Sequence, residues 1–327
     1  MPGKNDGENQ IGGQFGRVVR SRGGGVRFGR QHAFADRRHK GMGWLRDVPD
    51  FRDTTLSCLC PKIQREPGDS QKLHLRATKP IMNVMKSKSK LKKSVDNRKF
   101  CSPIEDQDEL GSCTANAAAG MVEYMERRAT GQHIDASRLF LYKITRNLLE
   151  WEGDTGAFLR TTMQALVLFG MPPEEYWSYD IETFDEEPDA FLYAYAASYK
   201  AIQYLRLDPP GMSAKNVLFA LKAAISKGYA IMFGFSTYTS LGWDADIPYP
   251  SPTDSLDGGH AILAVGYSDN HKFDDGRTGA LLIRNSWGKD WGDGGYGWLP
   301  YDYVLDGLAT DFWTCFKLEW INSRKFE

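Results

Sequence analysis

The distribution of apolar and polar positions divides the chain into a helical half and a strand-rich half. Apolar residues recur at helical spacing over 113–130, 136–150 and 157–169, where Gly131 and Gly170 end two of the predicted helices. A further helix is predicted over 186–198. Beyond residue 200, short apolar runs predict strands at 202–207, 230–236, 261–267, 281–286, 295–299 and 313–318. One helix interrupts them, with Ser213 as its N-cap and its end before Gly228.

Helices followed by strands predict an α+β protein with two lobes. We assign the helical lobe to residues 101–200 and the β lobe to residues 201–327. A cleft between two such lobes is a common place for a functional site. The polar stretch SDNHKFDDGRTG (268–279) is predicted to be a solvated hairpin, because it does not match the ligand pattern of an EF-hand loop.

The first hundred residues differ in composition from the rest of the chain. Residues 1–40 are rich in Gly and Arg and poor in apolar residues, which predicts a disordered tail. Such a tail can contact RNA, but no RNA-binding module accompanies it, so we favour a solvated tail without a nucleic-acid partner. Residues 41–94 combine GMGWLRDVPDFRD with a basic linker, KSKSKLKKS. Trp44, Leu45 and Phe51 give this segment apolar side chains with which to dock on the domain that follows.

The net charge of −1 is the sum of two large and opposite charges, one on residues 1–100 and the other on the rest of the chain. Residues 1–100 carry 23 Lys and Arg against 9 Asp and Glu, a net charge of +14, whereas the remaining residues carry −15. Opposite charges favour docking of one part on the other. We therefore expect a basic N-terminal segment to be attracted to an acidic domain, and acid (over about pH 5 to 4) or salt to weaken that attraction.

Composition excludes several classes of protein. No apolar run reaches the roughly 18 residues of a membrane helix, and no signal peptide is recognisable, so we expect a cytoplasmic protein without a membrane partner. Five cysteines are an odd number and do not form a disulfide framework. Cys58-x-Cys60 lacks the second ligand pair of a zinc site. We expect neither a metal nor a cofactor.

The stretch QDELGSCTANA places Cys113 at the start of the first predicted helix. Cys113 is either a buried apolar residue or a nucleophile, because a helix N-terminus favours the thiolate. A nucleophile needs a base, and His260 in DGGHAILAVGY offers an accessible imidazole at a strand start, although a histidine there can also be structural. His133 is the alternative in the helical half, within a polar loop.

Two more side chains would complete such a site. Asn285 begins NSWGKDWGDGGYGW and can orient the imidazole, while Trp287 and Trp291 can shield that hydrogen bond from water. Gln107, six residues before Cys113, can offer its amide as an oxyanion donor beside the backbone N–H of Cys113.

Three motifs in this order, Gln-x₅-Cys, Gly-His-Ala and Asn-Ser-Trp-Gly, resemble those of the papain-like cysteine peptidases. His260 lies 147 and Asn285 172 residues after Cys113, against about 130–150 in the family, and the polar hairpin explains the excess. The resemblance spans about residues 95–316 and starts at VDNR (95–98). LGSCTANA and GWLRDVPDFRD are most similar to the bacterial branch that includes xylellain.

This resemblance implies a papain-like two-lobe fold over residues 95–327, with a helical left lobe and an antiparallel β-barrel right lobe around the active-site cleft. It implies that Cys113 is the nucleophile, His260 the base and then acid, Asn285 its orienter and Gln107 the oxyanion donor. The residues expected to line the substrate groove or shield the site are Gly156, Gly259 and Trp287. The family's cysteine three residues before the nucleophile is Leu110 here, so that disulfide cannot form, in agreement with a reducing compartment. The family's Trp after the cysteine is Thr114.

The predicted function is that of a cysteine endopeptidase that acts on a peptide or protein substrate through an acyl-enzyme. Residues 41–94 would make it a zymogen by inhibiting it within the same chain. Two alternatives stay open: a transpeptidase or amidase on the same fold, and a catalytically silent binding protein. The sequence contains no G-x-S-x-G, Walker A or H-E-x-x-H motif to carry a different chemistry.

Overall fold

Helices pack against an antiparallel sheet in the computed structural model, which describes residues 40–50, 53–55, 79, 81, 83 and 91–318. Outside the described residues lie residues 1–39 of the predicted tail (1–40), Phe51, most of the basic linker, Cys58 and Cys60. Within the described ranges, no helix is both long enough and apolar enough to span a membrane.

The helical lobe begins with α1 (Cys113–Thr130), whose bounds coincide with the predicted ones. Gly131 ends it with φ 87°, a left-handed conformation that glycine adopts without strain. Two further helices of the lobe are α2 (Arg138–Leu149) and α3 (Leu159–Leu168). The helix predicted over 186–198 is shorter in the structure, where α4 spans Ala190–Ala196. It starts later than predicted because Asp189 is its N-cap, with a side chain that accepts a hydrogen bond from Leu192 N.

The second lobe is built on seven antiparallel strands with α5 (Ala214–Ser226), which Ser213 caps as predicted, and α6 (Tyr301–Leu305). The hydrogen-bonded order is β2-β7-β3-β4-β5-β6, and β1 pairs with β4. The strands are β1 (Ser94–Asp96), β2 (Ala201–Arg206), β3 (Ile231–Tyr238), β4 (Leu256–Lys272), β5 (Thr278–Arg284), β6 (Tyr296–Pro300) and β7 (Ala309–Leu318). The sequence pattern did not predict β1 and α6. The stretch 268–279 forms a hairpin as predicted, in which β4 runs to Lys272 and β5 starts at Thr278.

Strand β4 separates two apolar cores. Its side chains alternate between the two faces of the sheet: Leu263 and Val265 join the core around α1, whereas Ile262 and Ala264 join the core under α5 and α6. Helix α1 is therefore enclosed between the other helices and the sheet, and its first residue, Cys113, is fully buried. The predicted α+β fold of helices and antiparallel sheet is confirmed.

Candidate active site

The Cys113 thiol lies where the first turn of α1 meets β4. Its Sγ accepts hydrogen bonds from two backbone N–H groups, those of Ala261 in β4 and Gly43 in the N-terminal segment, each at 3.3 Å. Burial raises the pKa of the thiol to about 11, although these N–H groups oppose the shift. The thiol is thus protonated at neutral pH in this conformation.

His260 precedes Ala261 in β4. A hydrogen bond holds one ring nitrogen of its imidazole, Nε2, and leaves the other, Nδ1, without a partner among the described residues. Nε2 lies 2.8 Å from Asn285 Oδ1, an acceptor, so Nε2 carries the proton in the neutral ring. Nδ1 is buried and has no hydrogen-bond partner within the described part of the chain, which leaves it able to accept a proton. Burial lowers the pKa of His260 to about 4, opposed by the hydrogen bond to Asn285.

Asn285 immediately follows β5, so the antiparallel pairing of β4 and β5 brings it to His260. Its Oδ1 also accepts a hydrogen bond from Ser286 N at 2.8 Å, which fixes the amide. Trp287 stacks on the His260 ring with 4.5 Å between centroids, and Trp291 meets Trp287 edge-on. These rings exclude water from the Asn285–His260 hydrogen bond, as the sequence suggested.

Gln107 approaches the site from the loop before α1. Its Oε1 accepts a hydrogen bond from Ser286 Oγ at 2.5 Å, and its Nε2 donates to the carbonyl oxygens of Leu110 (2.9 Å) and Gly41 (2.8 Å). Ser286 therefore positions Gln107 with its hydroxyl and Asn285 with its backbone N–H. The sequence analysis did not single out Ser286; its position next to Asn285 was the available signal.

An extended stretch, residues 40–47, occupies the cleft; we call it the cleft segment. Ala157 N donates to Gly43 O (2.8 Å), Leu45 N to Ala157 O (3.1 Å), and Trp44 N to Gly259 O (3.1 Å). The two glycines expected to line the groove lie against it. A Cβ on Gly156 would approach Gly43 O to 2.2 Å, and one on Gly259 would approach Trp44 O to 2.4 Å. Both positions therefore require glycine if a main chain is to pass this close.

The structure thus brings together the seven residues that the sequence nominated: Cys113, His260, Asn285, Gln107, Trp287, Gly156 and Gly259. His133, the alternative base, lies elsewhere, where its Nδ1 contacts Arg127 Nη1 at 3.2 Å. Among the described residues, no group of three or more His, Cys, Asp or Glu side chains is arranged to hold a metal ion. Cys101 and Cys113 are free thiols, and Cys315 Sγ donates a hydrogen bond to Gln203 O at 3.3 Å.

The ion pairs between the N-terminal segment and the domain differ in part from the predicted attraction of a basic segment to an acidic domain. Lys40 pairs with Asp106 at 2.7 Å, which has the predicted sign. Lys40 also lies 3.5 Å from Asp108, again with the predicted sign. Other ion pairs within the described residues have the opposite sign, because acidic residues of the segment contact arginines of the domain. Asp47 and Asp53 both pair with Arg160, and Asp53 also lies 3.5 Å from Arg206. Net charge therefore mispredicts these contacts, since a few buried pairs determine the docking.

Asp53 is the most deeply buried of these carboxylates in the segment. Burial opposes its ionisation, but hydrogen bonds from the Arg160 side chain and the Asp50 backbone, together with nearby Arg206, hold its pKa below the ordinary value. Acid must therefore reach a pH lower than the expected range of 5 to 4 before this anchor is neutralised.

Comparisons with known proteins agree with this arrangement. A family model described as papain family cysteine protease matches residues 91–304. An uncharacterised peptidase C1-like protein of Acanthamoeba polyphaga mimivirus is 31% identical over 283 residues, which cover 84% of this chain and 86% of that protein.

Two solved structures share the fold. Xylellain, a cysteine protease from Xylella fastidiosa, is 31% identical and superposes with a TM-score of 0.64, covering 85% of this chain and 97% of xylellain. Procathepsin L 3 of Tenebrio molitor larval midgut shares the fold at 19% identity and a TM-score of 0.56, covering 87% and 78% of the two chains.

The fold and the comparisons define a cysteine peptidase, which is a hydrolase. The chain belongs to the papain family, and the predicted similarity to xylellain is confirmed.

Proposed function

We propose that Cys113, His260 and Asn285 form the catalytic triad of an endopeptidase, and that Gln107 completes its oxyanion hole. The proposal is supported by the thiol at the start of α1 and by the 2.8 Å contact of His260 with Asn285. It is also supported by the Gln107 amide, which donates to Gly41 O, two residues before the Gly43 N–H that meets the thiol. A helix N-terminus favours the thiolate, and a base oriented by a third group is what a thiol nucleophile requires.

The reaction proceeds in two stages. The thiol proton passes to His260 Nδ1, and Cys113 Sγ adds to the carbonyl carbon of the scissile peptide bond. Gln107 Nε2 and the Cys113 backbone N–H donate hydrogen bonds to the resulting oxyanion. The C–N bond then breaks, the imidazolium protonates the departing amine, and a thioester remains.

Hydrolysis of the thioester completes the cycle. Water adds to the thioester carbonyl while His260 accepts its proton. The C–S bond breaks, a carboxylic acid leaves, and the thiol is restored.

We further infer that the protein is a zymogen in which the cleft segment inhibits this site. One observation carries the inference: Gly41 O accepts from Gln107 Nε2, while Gly43 presents its N–H to Cys113 Sγ. The segment thus fills the oxyanion position and meets the thiol with a donor rather than a carbonyl carbon. With the pKa of Cys113 at about 11 and that of His260 at about 4, both groups are neutral at pH 7, so the reactive ion pair is absent.

The test is acid-quench mass spectrometry during turnover of a peptide ester by the full chain that carries Trp44→Ala, a substitution that removes the main apolar contact of the inhibitory segment. The acyl group should be found on Cys113, and the product should be the free acid even when an amine is added. His260→Ala should prevent acylation, whereas the matched control His133→Ala, remote from the thiol, should not. Transfer to the added amine as the main reaction would indicate a transpeptidase, and an unmodified Cys113 in a protein that turns over would refute the mechanism.

A further inference from the structure

A short stretch before α3, residues 153–156, leads to the main chain with which the cleft segment pairs; we call it the edge loop. Ala157 follows the edge loop, and its N–H donates to Gly43 O at 2.8 Å while its carbonyl accepts from Leu45 N at 3.1 Å. Both main-chain groups of Ala157 thus face the cleft. The position of the edge loop therefore determines where a paired main chain lies relative to Cys113.

Asp154 links the edge loop to the loop that precedes the nucleophile. Both oxygens of its carboxylate accept from the backbone N–H of Gly111, each at 3.0 Å, and Gly111 lies two residues before Cys113. A Cβ on Gly111 would approach Asp154 Oδ1 to 2.8 Å, so the lack of a side chain there allows the close approach. A carboxylate accepts stronger hydrogen bonds than a neutral group does, which makes this link effective.

Tyr142 extends the link to the end of the edge loop. Its hydroxyl donates to Asp154 Oδ1 at 2.5 Å and accepts from Gly156 N at 3.0 Å. Tyr142 belongs to α2 and is fully buried, so the hydroxyl is a fixed point. Burial, with the Asp154 carboxylate, raises the pKa of Tyr142 well above its ordinary value, so the hydroxyl keeps the proton that it donates.

The start of the edge loop is anchored to other residues. Gly153 N donates to Asp185 Oδ2 at 2.9 Å, and Gly153 O accepts from Arg146 Nη1 at 2.5 Å. These contacts hold the loop to the helical lobe, whereas the contact of Asp154 with Gly111 sets its distance from the nucleophile.

A hydrogen-bonded carboxylate thus restrains a place where a covalent link is excluded. Leu110, beside Gly111, stands where the papain family's motif has a cysteine, so that disulfide cannot form here. Asp154 is exposed, whereas Cys113 is fully buried at the start of α1. Loss of the carboxylate should therefore shift the edge loop and leave the thiol in place.

We propose that Asp154 is a positioning residue, which holds the main chain at Ala157 in register with Cys113 so that a paired substrate presents its carbonyl to the thiol. This inference rests on the proposed function, because it assumes that a substrate pairs with Ala157 as the cleft segment does.

The first measurement needs no turnover. Hydrogen exchange of single backbone amides is followed in full chains with Asp154→Ala or with Glu152→Ala, a control that removes the same charge from an exposed side chain nearby. The N–H of Ala157 is compared with that of Ala261, which donates to Cys113 Sγ from β4. Asp154→Ala should accelerate exchange at Ala157 about tenfold or more, the size expected for lost hydrogen bonds to a charged group. Exchange at Ala261, and at both amides in Glu152→Ala, should change by less than about twofold.

The second measurement compares two substrates in full chains that also carry Trp44→Ala. One is a peptide long enough to pair with Ala157, and the other is p-nitrophenyl acetate, which can acylate Cys113 without reaching that edge. Asp154→Ala should lower kcat/KM for the peptide about a hundredfold, the order expected for a misplacement of about 1 Å, and that for the acetate ester by less than about threefold.

Asp154→Asn keeps the measurements decisive even if Asp154→Ala does not fold. Its amide retains one oxygen that can accept from Gly111 N but places a donor beside the other contacts. It should therefore show the same selective loss of peptide activity and the same acceleration at Ala157, each smaller than in Asp154→Ala.

Equal acceleration of exchange at Ala157 and Ala261, unchanged exchange at Ala157, or an equal loss of activity on the two substrates would overturn the proposal, since a merely stabilising residue affects both sides of the cleft alike. Failure of the proposed function would be seen separately. In that case the chain that carries Trp44→Ala alone would hydrolyse neither substrate, while the difference in exchange between Ala157 and Ala261 would persist.

Discussion

Replacement of Trp44 by alanine in the full chain should expose Cys113 to alkylation. Trp44 is the most buried apolar side chain of the cleft segment, at 5% exposed, and its indole also donates a hydrogen bond to Asp311. The substitution removes both contacts from the docked state. It leaves in place the backbone pairing of Gly43 and Leu45 with Ala157.

The size of the effect follows from the contacts that are lost. Truncation of a buried Trp to Ala costs about 3–5 kcal/mol in a packed core. If that cost falls on docking of the segment, the undocked population rises roughly a hundredfold to several thousandfold, since about 1.4 kcal/mol corresponds to tenfold. In the docked state the thiol, with its pKa of about 11, is almost entirely protonated at pH 6, so labelling should report the undocked population.

The assay is the rate of iodoacetamide labelling at pH 6, with Cys113 identified by peptide mapping. Val48→Ala is the matched control, because Val48 follows the cleft segment but is 73% exposed. Trp44→Ala should accelerate labelling of Cys113 by two orders of magnitude or more, and Val48→Ala by less than about twofold. Equal rates in the Trp44→Ala and unmodified proteins would refute the claim that the segment shields the thiol.

Three other predictions concern the contacts around the site. Asp53→Asn removes the buried negative charge that pairs with Arg160. This loss should weaken docking of the segment by about 3 kcal/mol and accelerate labelling of Cys113 about a hundredfold. Docking lowers the pKa of Asp53, so its ionised carboxylate stabilises the docked segment at pH values above its ordinary pKa of about 3.9, and this stabilisation is lost as the pH falls further. The labelling rate of the unmodified protein should therefore rise below about pH 4, and that rise should be absent in Asp53→Asn. In the full chain that carries Trp44→Ala, Ser286→Ala frees the Gln107 amide and should lower kcat about tenfold with little change in KM. An unchanged kcat would contradict the positioning role of Ser286. In the full chain that carries Trp44→Ala, joint replacement of Cys101 and Cys315 by Ala should leave kcat/KM within a few-fold, because these two thiols are not bonded to each other or to Cys113. A loss of activity that tracked an oxidised pair would contradict this.

Local signals predicted the elements that carry the site. The bounds of α1 followed from its periodicity and the glycine that ends it, and Ser213 capped α5 as expected. Strand β4 was predicted over 261–267 but runs from Leu256 to Lys272, because pairing with β3 and β5 extends it through glycines and polar residues that lack a strand pattern.

The residues of the site likewise include some that local motifs indicate and others that only the folded structure reveals. Cys113, His260 and Asn285 stand in short motifs, so the sequence nominated them without knowledge of their contacts. The link from Ser286 to Gln107 joins residues 179 positions apart, and Asp311 meets Trp44 across 267. No local pattern encodes such pairs. Summed charge also failed, because the arginines that hold Asp47 and Asp53 belong to a domain that is acidic overall.

The most direct test of the account is peptide turnover by full chains that carry Trp44→Ala, with and without the additional substitution Cys113→Ala. The first should hydrolyse a peptide substrate. The second should retain the same fold by circular dichroism and lose turnover by at least about 10⁴-fold, since removal of a catalytic nucleophile leaves only residual rate enhancement. Comparable turnover in the two proteins would contradict the assignment of Cys113 as the nucleophile, and with it the mechanism proposed for this chain.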